Sequence, residues 1–313
     1  MTGNEMKKKS AIKKKGVITG ATGYIGSHLL KYLLLHDWDI SIIAQPEFGY
    51  DNIQEQIKEI RIVEYDGNIQ TLISFFKKEN PDVVFHLAAA VITNYTPEQI
   101  STLIQSNIQF GTEVLEAMKF STTRLFINTG SYWQNCNSDV YSPVDLYAAT
   151  KESFEKILQY YVEVHDFRAI TLRLFDVYGE DDKRPKLLNL LFKIAETGQS
   201  IDVSPGEQLL DMVHISDVCS AYLKAYDILF ANSEINHKIY GVYTGNRMKL
   251  KDMIDLFQSI LQKPLNVNFG GKTYKKREIM IPTTRYEILP CWEAKITLSY
   301  WLSVINGGGG NIM

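Results

Sequence analysis

Three glycines at positions i, i+3 and i+6, in Thr19-Gly20-Ala21-Thr22-Gly23-Tyr24-Ile25-Gly26, constrain this chain more than any other feature. They follow a short apolar run at 16–19 and give way to helical apolar spacing over 28–35. Strand, glycine turn, helix lets a backbone turn sharply and approach a pyrophosphate, with the free N–H groups and positive dipole end of the helix beside it. Glycines also punctuate ordinary turns, so the triplet gains its weight from standing at the first strand of an alternating chain.

That alternation is visible. β-rich runs recur at 39–43, 61–65, 83–87, 125–128 and 169–174, with helical spacing between them at 72–78, 102–118 and 149–164. Strands alternating with helices predict an α/β fold built on a doubly wound parallel sheet, a Rossmann unit over 16–175. After Arg173 the regularity fades, and Ser204-Pro205-Gly206 breaks the chain. A second, smaller α/β substrate domain is expected over 176–306, with a return to the first unit near 208–232. Residues 1–15 and 307–313 read as flexible tails.

With 313 residues, 45% hydrophobic and 22% charged, the chain can bury a core without disulfide or metal staples. Six lysines crowd the first 15 residues. From Gly16 onward 27 basic residues face 35 acidic ones, a net of −8 that argues against nucleic acid as a partner. Cys136, Cys219 and Cys291 lie far apart and form no CxxC, which fits a reducing, cytoplasmic setting. The longest apolar run, 83–92, is about half the roughly 20 residues of a membrane span, and no apolar stretch follows the lysines as in a secretory signal, so no membrane partner is expected. The six histidines show no ligand spacing, which predicts no metal; His86 and His214 read as packed residues.

Tyr147 and Lys151 lie four apart at the start of a helical run and so share one face. An ammonium near a phenol favours the phenolate, and the pair is expected to exchange a proton near neutral pH. At the end of the second strand neither an acid nor an arginine appears. The chain has Gln45 there, which tilts the expected cofactor from NAD toward NADP, with Glu47 arguing the other way. Asp66 reads equally as an adenine contact or a turn-capping aspartate.

Taken together, TGATGYIG (19–26), HLAA (86–89), NIQFGT (107–112), YAATK (147–151), LRLFDVYG (172–179) and DMVHISD (211–217) resemble the extended short-chain dehydrogenase/reductase family of nucleotide-sugar epimerases, dehydratases and reductases. The resemblance runs from Val17 to about Pro290. It implies a cofactor held by Gly20, Thr22, Gly23, Tyr24, Ile25, Gly26, Gln45, Asp66, Gly67, Leu87, Ala88, Ala89, Asn107 and Lys151. It also implies a catalytic set of Thr129, Tyr147 and Lys151, with Ser131 in reserve for Thr129. Where the dehydratases carry an Asp-Glu pair after that Thr, this chain has Gly130-Ser131, which argues against 4,6-dehydration.

Within the family, NTGSYWQNCNSDVYSPVDLY (128–147), LRLFDVYG, SPGEQ and YKKREIM look most like the CDP-abequose and CDP-paratose synthase branch, reductases of 4-keto-3,6-dideoxyhexoses on CDP. That resemblance implies NAD(P)H-driven reduction at C4 for surface-polysaccharide sugars, with a nucleotide-diphosphate sugar, CDP-linked, as partner. The substrate side is expected to use Ser131, Asp176, Lys186, Gln208, Lys275 and Arg277, with Arg184 as a further cation and Tyr178 lining the pocket. For the Lys275-Lys276-Arg277 run, a solvated loop is an equal reading. Asp176 stands where many relatives carry Asn. An NAD-dependent 4-epimerase and a non-catalytic dinucleotide sensor remain as alternatives. Cys136 reads as a loop thiol first and as an added acid/base for an epimerase-reductase second. The helices over 102–118 and 149–161 pair across a homodimer in relatives.

Overall fold

The computed structural model describes residues 13–307, and the expected tails over 1–12 and 308–313 lie outside the described residues. The first part of the chain runs β1 (Lys15–Thr19), α1 (Tyr24–Leu35), β2 (Asp39–Ala44), β3 (Arg61–Glu64), α2 (Ile69–Glu79), β4 (Val83–His86), α3 (Ile100–Ile104), α4 (Phe110–Met118), β5 (Leu125–Ser131), α5 (Leu146–Val164) and β6 (Arg168–Leu174). The second part runs β7 (Asp176–Tyr178), α6 (Leu187–Thr197), β8 (Ile201–Val203), β9 (Leu209–Leu210), β10 (Met212–His214), α7 (Ile215–Ala231), β11 (His237–Val242), β12 (Met248–Lys249), α8 (Leu250–Leu261), β13 (Val267–Phe269) and α9 (Leu298–Ile305).

Seven strands form one parallel sheet in the order β11-β6-β5-β4-β1-β2-β3. Helices cover both faces. Ile18, Phe85 and Ile127 meet α1 and α7 on one side, while Val84 and Phe126 meet α2, α4 and α5 on the other. Because strands flanked on both faces must be apolar throughout, β4 reads Val-Val-Phe-His with all four residues buried. A third core, around Leu191, Val203, Met253, Phe257 and Trp301, belongs to the second part.

The structure departs from the expected boundaries in three places. The return to the first unit does not stop at 232: α7 packs on the sheet and β11 then adds its seventh strand, pairing with β6. The expected tail ends before Lys15, because Lys14 O receives the Asp39 N–H, Lys15 opens β1, and the Lys14 ammonium sits 4.7 Å from the Tyr226 ring and 5.5 Å from that of Trp38. The helix expected over 102–118 is α3 and α4 joined through a π-helical turn over Gln105–Gln109. Among the described residues no helix is long and apolar enough to cross a membrane.

α4 lies against α5 at Gly111, where an added Cβ comes 2.4 Å from a ring carbon of Phe154. Gly111→Ala is therefore expected to overpack this contact and lower the unfolding free energy by about 1–3 kcal/mol, read as a drop in midpoint in a thermal or urea melt. An unchanged midpoint would show that the two helices are free to part.

Candidate active site

The glycine turn works by close approach. Gly20 adopts φ +72°, and a Cβ there would lie 2.6 Å from the Ala88 nitrogen. At Gly26 a Cβ would lie 2.1 Å from the Gly20 carbonyl oxygen. These contacts bring the start of α1 to the end of β1 and against Leu87-Ala88, whose N–H groups bond Thr19 O and Thr19 Oγ1. Gly23 caps α1 with no side-chain bond and no acid stands in the first turn, so the helix presents an uncommitted positive end. Asn107, in the π-helical turn, fixes the neighbouring loop: its amide takes the Ala90 N–H at 2.7 Å and donates to Ala90 O and to Thr150 Oγ1. It therefore acts through the Leu87-Ala88-Ala89 loop and through α5.

The other expected cofactor residues have clear local roles. Thr22 O accepts from Asn52, and Ile25 packs on the core. Tyr24 has a buried hydroxyl without a partner and carries the Arg184 guanidinium 4.1 Å above its ring. Gln45 precedes a one-turn helix at Pro46–Phe48. Asp66 accepts the Asn68 N–H, the turn-capping arrangement, and Gly67 (φ +92°) completes that turn.

α5 begins at an Asp145 cap, whose carboxylate accepts the Ala148 N–H at 2.9 Å, and it carries Tyr147 and Lys151 one turn apart. Lys151 is 2% exposed and its Nζ has no protein partner. Burial pulls its pKa down to about 8, with Arg173 adding to the effect and Glu155 opposing it. A buried ammonium without a partner is costly and fits a hydroxyl-rich ligand such as a nicotinamide ribose. With the glycine turn, these residues fit a dinucleotide.

One electrostatic expectation needs correction. Burial pushes the Tyr147 phenol up to about 12, Asp145 adds to the rise, and the cation that opposes it is Arg173, not Lys151. Arg173 is 2% exposed on β6 and its Nη2 bonds Glu155 at 2.8 Å and Glu152 at 3.2 Å, both on α5. Its side chain crosses Gly130, where a Cβ would lie 2.9 Å from the Arg173 Cδ.

Thr129, at the end of β5, donates to His86 O at 2.7 Å, so the 2.6 Å bond to Tyr222 is donated by the tyrosine. Tyr222, fully buried on α7, also has Tyr147 as an electrostatic neighbour. In this arrangement Thr129 turns a lone pair, not a proton, toward any ligand. Ser131 accepts the Trp133 N–H and caps the turn Tyr132–Gln134, while Gln134 returns to Ser131 N.

Of the expected substrate residues, the structure brings Asp176 and Lys186 together: the Asp176 carboxylate accepts from Tyr132 at 2.8 Å, burial raises its pKa and Lys186 opposes the rise. Others are engaged elsewhere. Gln208 pairs with Ser204 at the Ser-Pro-Gly turn, and Tyr178 is packed against His214 and Trp301 with its hydroxyl on Ile296 O. Lys275 lies 5.9 Å over the Trp133 ring, and Arg277 donates to Pro143 O and Ser142 Oγ.

Arg277 belongs to a strap. Asn137 donates to Glu278 O and accepts from Met280 N, Thr283 bonds Asp139, Tyr286 bonds Asn135, and the Cys136 thiol faces Arg277 O at 3.5 Å. The segment 277–286 thus pins the loop between Thr129 and Tyr147. Sequence reasoning did not single out Arg173, Glu152, Glu155 or Tyr222 as site residues, although Arg173 stood inside the LRLFDVYG motif. A cleft of about 410 Å³ opens beside α1, bordered by Tyr24, His28 and Arg184, and the catalytic set does not line it. Among the described residues no group of three potential metal ligands occurs.

The model of the NAD dependent epimerase/dehydratase family matches residues 17–236. The chain belongs to that family. It is an extended short-chain dehydrogenase/reductase, an enzyme of the NAD(P)-dependent oxidoreductase type. Curated relatives include the CDP-abequose synthase of Salmonella muenchen, 30% identical over 270 residues covering 86% of this chain and 88% of that one. The CDP-abequose synthase of Yersinia pseudotuberculosis is 27% identical over 86% and 92% of the two chains. Among solved structures, the UDP-glucuronic acid 4-epimerase of Bacillus cereus, in complex with UDP-glucuronic acid and NAD, superposes with a TM-score of 0.78 at 23% identity, covering 93% of this chain and 98% of that one. The UDP-glucose 4-epimerase of Thermotoga maritima gives 0.78 at 20% identity over 93% and 97%. These likenesses show the doubly wound fold.

Because the Tyr147 phenol keeps its proton far above neutrality while Lys151 loses its own near pH 8, the alkaline limb of kcat/KM is expected to fall near pH 8 and to disappear from the residual rate of Lys151→Met. A limb at pH 10 or above in the parent enzyme would remove Lys151 from that role. Tyr147→Phe is expected to cut turnover about 100- to 10,000-fold while NAD(P)H binding, followed by fluorescence, stays near parental.

Proposed function

We propose that this enzyme reduces a nucleotide-linked 4-keto-6-deoxy or 3,6-dideoxy hexose at C4 with NAD(P)H, on a CDP-linked substrate, for the cytoplasmic synthesis of surface-polysaccharide sugars such as those of O-antigen. The observation that carries the reading is the site's proton inventory. Tyr147 is a phenol that holds its proton, while Gly130 and Ser131 occupy the positions where a dehydratase has carboxylates. The relatives named CDP-abequose synthase support the CDP-linked sugar.

Bound at the glycine turn, the cofactor supplies the hydride. Tyr147 gives its proton to the C4 oxygen as negative charge builds there. Lys151 offers buried, unpartnered donors to ribose hydroxyls. Thr129 turns its proton from His86 O to the same sugar oxygen, with Tyr222 continuing to bond the threonine oxygen. A homodimer through α4 and α5 accords with the exposed apolar side chains Tyr160 and Val164 on α5 and Ile104 on α3, which runs into α4. Incubation with a panel of 4-keto-sugar nucleotides, followed at the nicotinamide absorbance band, tests the reading. Consumption of stoichiometric NAD(P)H is expected, whereas interconversion of C4-hydroxyl sugar nucleotides such as UDP-glucose, assayed alongside with catalytic NAD and without net consumption, would identify a 4-epimerase. No change of either kind would leave the dinucleotide-sensing alternative.

Two further outcomes follow from particular residues. With Gln45 at the end of β2, NADPH is expected to be used at least as well as NADH, and Gln45→Asp to shift the ratio of kcat/KM values toward NADH by repelling the 2′-phosphate. A strict parental preference for NADH would assign the ribose to another group, Glu47 first. In deuterated water the product is expected to carry no solvent deuterium on ring carbon, since the Cys136 thiol faces backbone carbonyls of the strap. Mass spectrometry reads the label, and deuterium on carbon that vanishes in Cys136→Ser would make the enzyme an epimerase-reductase.

A further inference from the structure

The cofactor cradle lies at the ends of β1 and β4, and the reacting groups lie at the end of β5. On the side of β5 away from β4 and the glycine turn lie β6 and β11, the latter two strand spacings, about 10 Å, from β5. The loop that leaves the carboxyl end of β11 carries Arg247. This side chain is half-buried, and its Nε and Nη2 are both buried without a hydrogen-bond partner.

Those two donors share one edge of the guanidinium, the edge that grips two oxygens of a phosphate or carboxylate through parallel bonds. In Arg184 and Arg277 that edge is filled by the protein itself. Arg184 gives its Nε and Nη2 to the two oxygens of Asp182, both at 2.7 Å, and Arg277 gives its own to Pro143 O and Ser142 Oγ. Among the described residues no ion pair joins Arg247 to a carboxylate. Two buried, unmade bonds on a cation are costly unless a ligand makes them.

The turn that carries Arg247 is held from both sides. The Asp211 carboxylate accepts the N–H groups of Thr244 and Gly245 and the Thr244 hydroxyl, and β12 pairs with β9 through Met248 and Leu210. Its backbone is thus set before a ligand arrives, which lowers the ordering cost of binding. We propose that Arg247 grips the substrate's diphosphate through its Nε–Nη2 edge, the role that Arg277 and Lys275 were expected to fill. This inference rests on the nucleotide-sugar reading above.

Calorimetric titration of the full chain and of Arg247→Lys and Arg247→Met tests it, with CDP, UDP, cytidine, uridine, NADH, NADPH and UDP-glucuronic acid as probes. Both variants are expected to lose about 10- to 100-fold in affinity for the nucleoside diphosphate that the parent binds, the range of one charge-assisted hydrogen-bonding group. Binding of the nucleosides and of NADH is expected to stay parental, which also shows that the variants are folded. Lysine should recover only part of the loss, because an ammonium lacks the two-pronged edge. Parental affinity for CDP and UDP in both variants would overturn the assignment. So would an equal loss with the bare nucleosides, a loss confined to NADPH, or one seen with UDP-glucuronic acid and not with UDP, since these place the edge on packing, on the 2′-phosphate or on a sugar carboxylate. If the parent binds neither nucleoside diphosphate, the nucleotide-sugar reading falls and this inference with it.

Discussion

The arrangement of this site depends on a buried ionic contact between a strand and a helix. Arg173 on β6 reaches Glu152 and Glu155 on α5, the helix that carries Tyr147 and Lys151. Taking these charges out of water is costly, and the Nε and Nη1 of Arg173 find no partner in return. What the contact provides is placement: α5 is registered against β5 and β6, so the phenol and the ammonium come to the carboxyl edge of the sheet beside Thr129. Gly130 is part of the same arrangement, because the arginine crosses where its side chain would be. Gln134 extends it by donating to Glu152 at 2.7 Å while receiving the Ser131 N–H. The loop after β5 and helix α5 thereby share one polar network.

The first unit was legible in the sequence because its signals are local. A strand buried on both faces is an apolar run, and the glycine turn is written in seven consecutive residues. What the sequence did not disclose was long-range. β11 is six residues that come after the break at Ser204-Pro205-Gly206, and it joins the sheet through pairing with β6, 68 positions earlier. The π-helical turn over Gln105–Gln109 has the apolar spacing of an ordinary helix, so periodicity could not separate it. It is placed by Asn107 bonding Ala90 and Thr150.

The site divides along the same line. Tyr147, Lys151 and the glycines could be found from spacing and family likeness. Their electrostatics could not, since pKa values follow burial and neighbours. Lys151 is one helical turn from Tyr147, yet the phenol responds to burial, Asp145 and Arg173. The cations expected for the diphosphate were read with a related blind spot: a Lys-Lys-Arg run reveals charge but not whether its donors are already used, as the Nε and Nη2 of Arg277 are. Arg247, a single arginine in a turn, offered no sequence signal, and only the unfilled edge of its guanidinium draws notice.

The strap carries a consequence for how the molecule is made. The loop between Thr129 and Tyr147 is held by residues 134 to 151 positions further along, whereas the glycine turn is closed by Ala88, 68 positions from Gly20. On a chain synthesised from its N-terminus, the expected cofactor residues, Asn107 and Lys151 included, have all emerged once α5 is made, but the loop between Thr129 and Tyr147 waits for the last quarter of the protein. Nascent or C-terminally shortened chains would therefore pass through a stage that binds dinucleotide without being able to shape a substrate pocket. Cofactor binding is then an early reporter of folding in this enzyme, and turnover a late one.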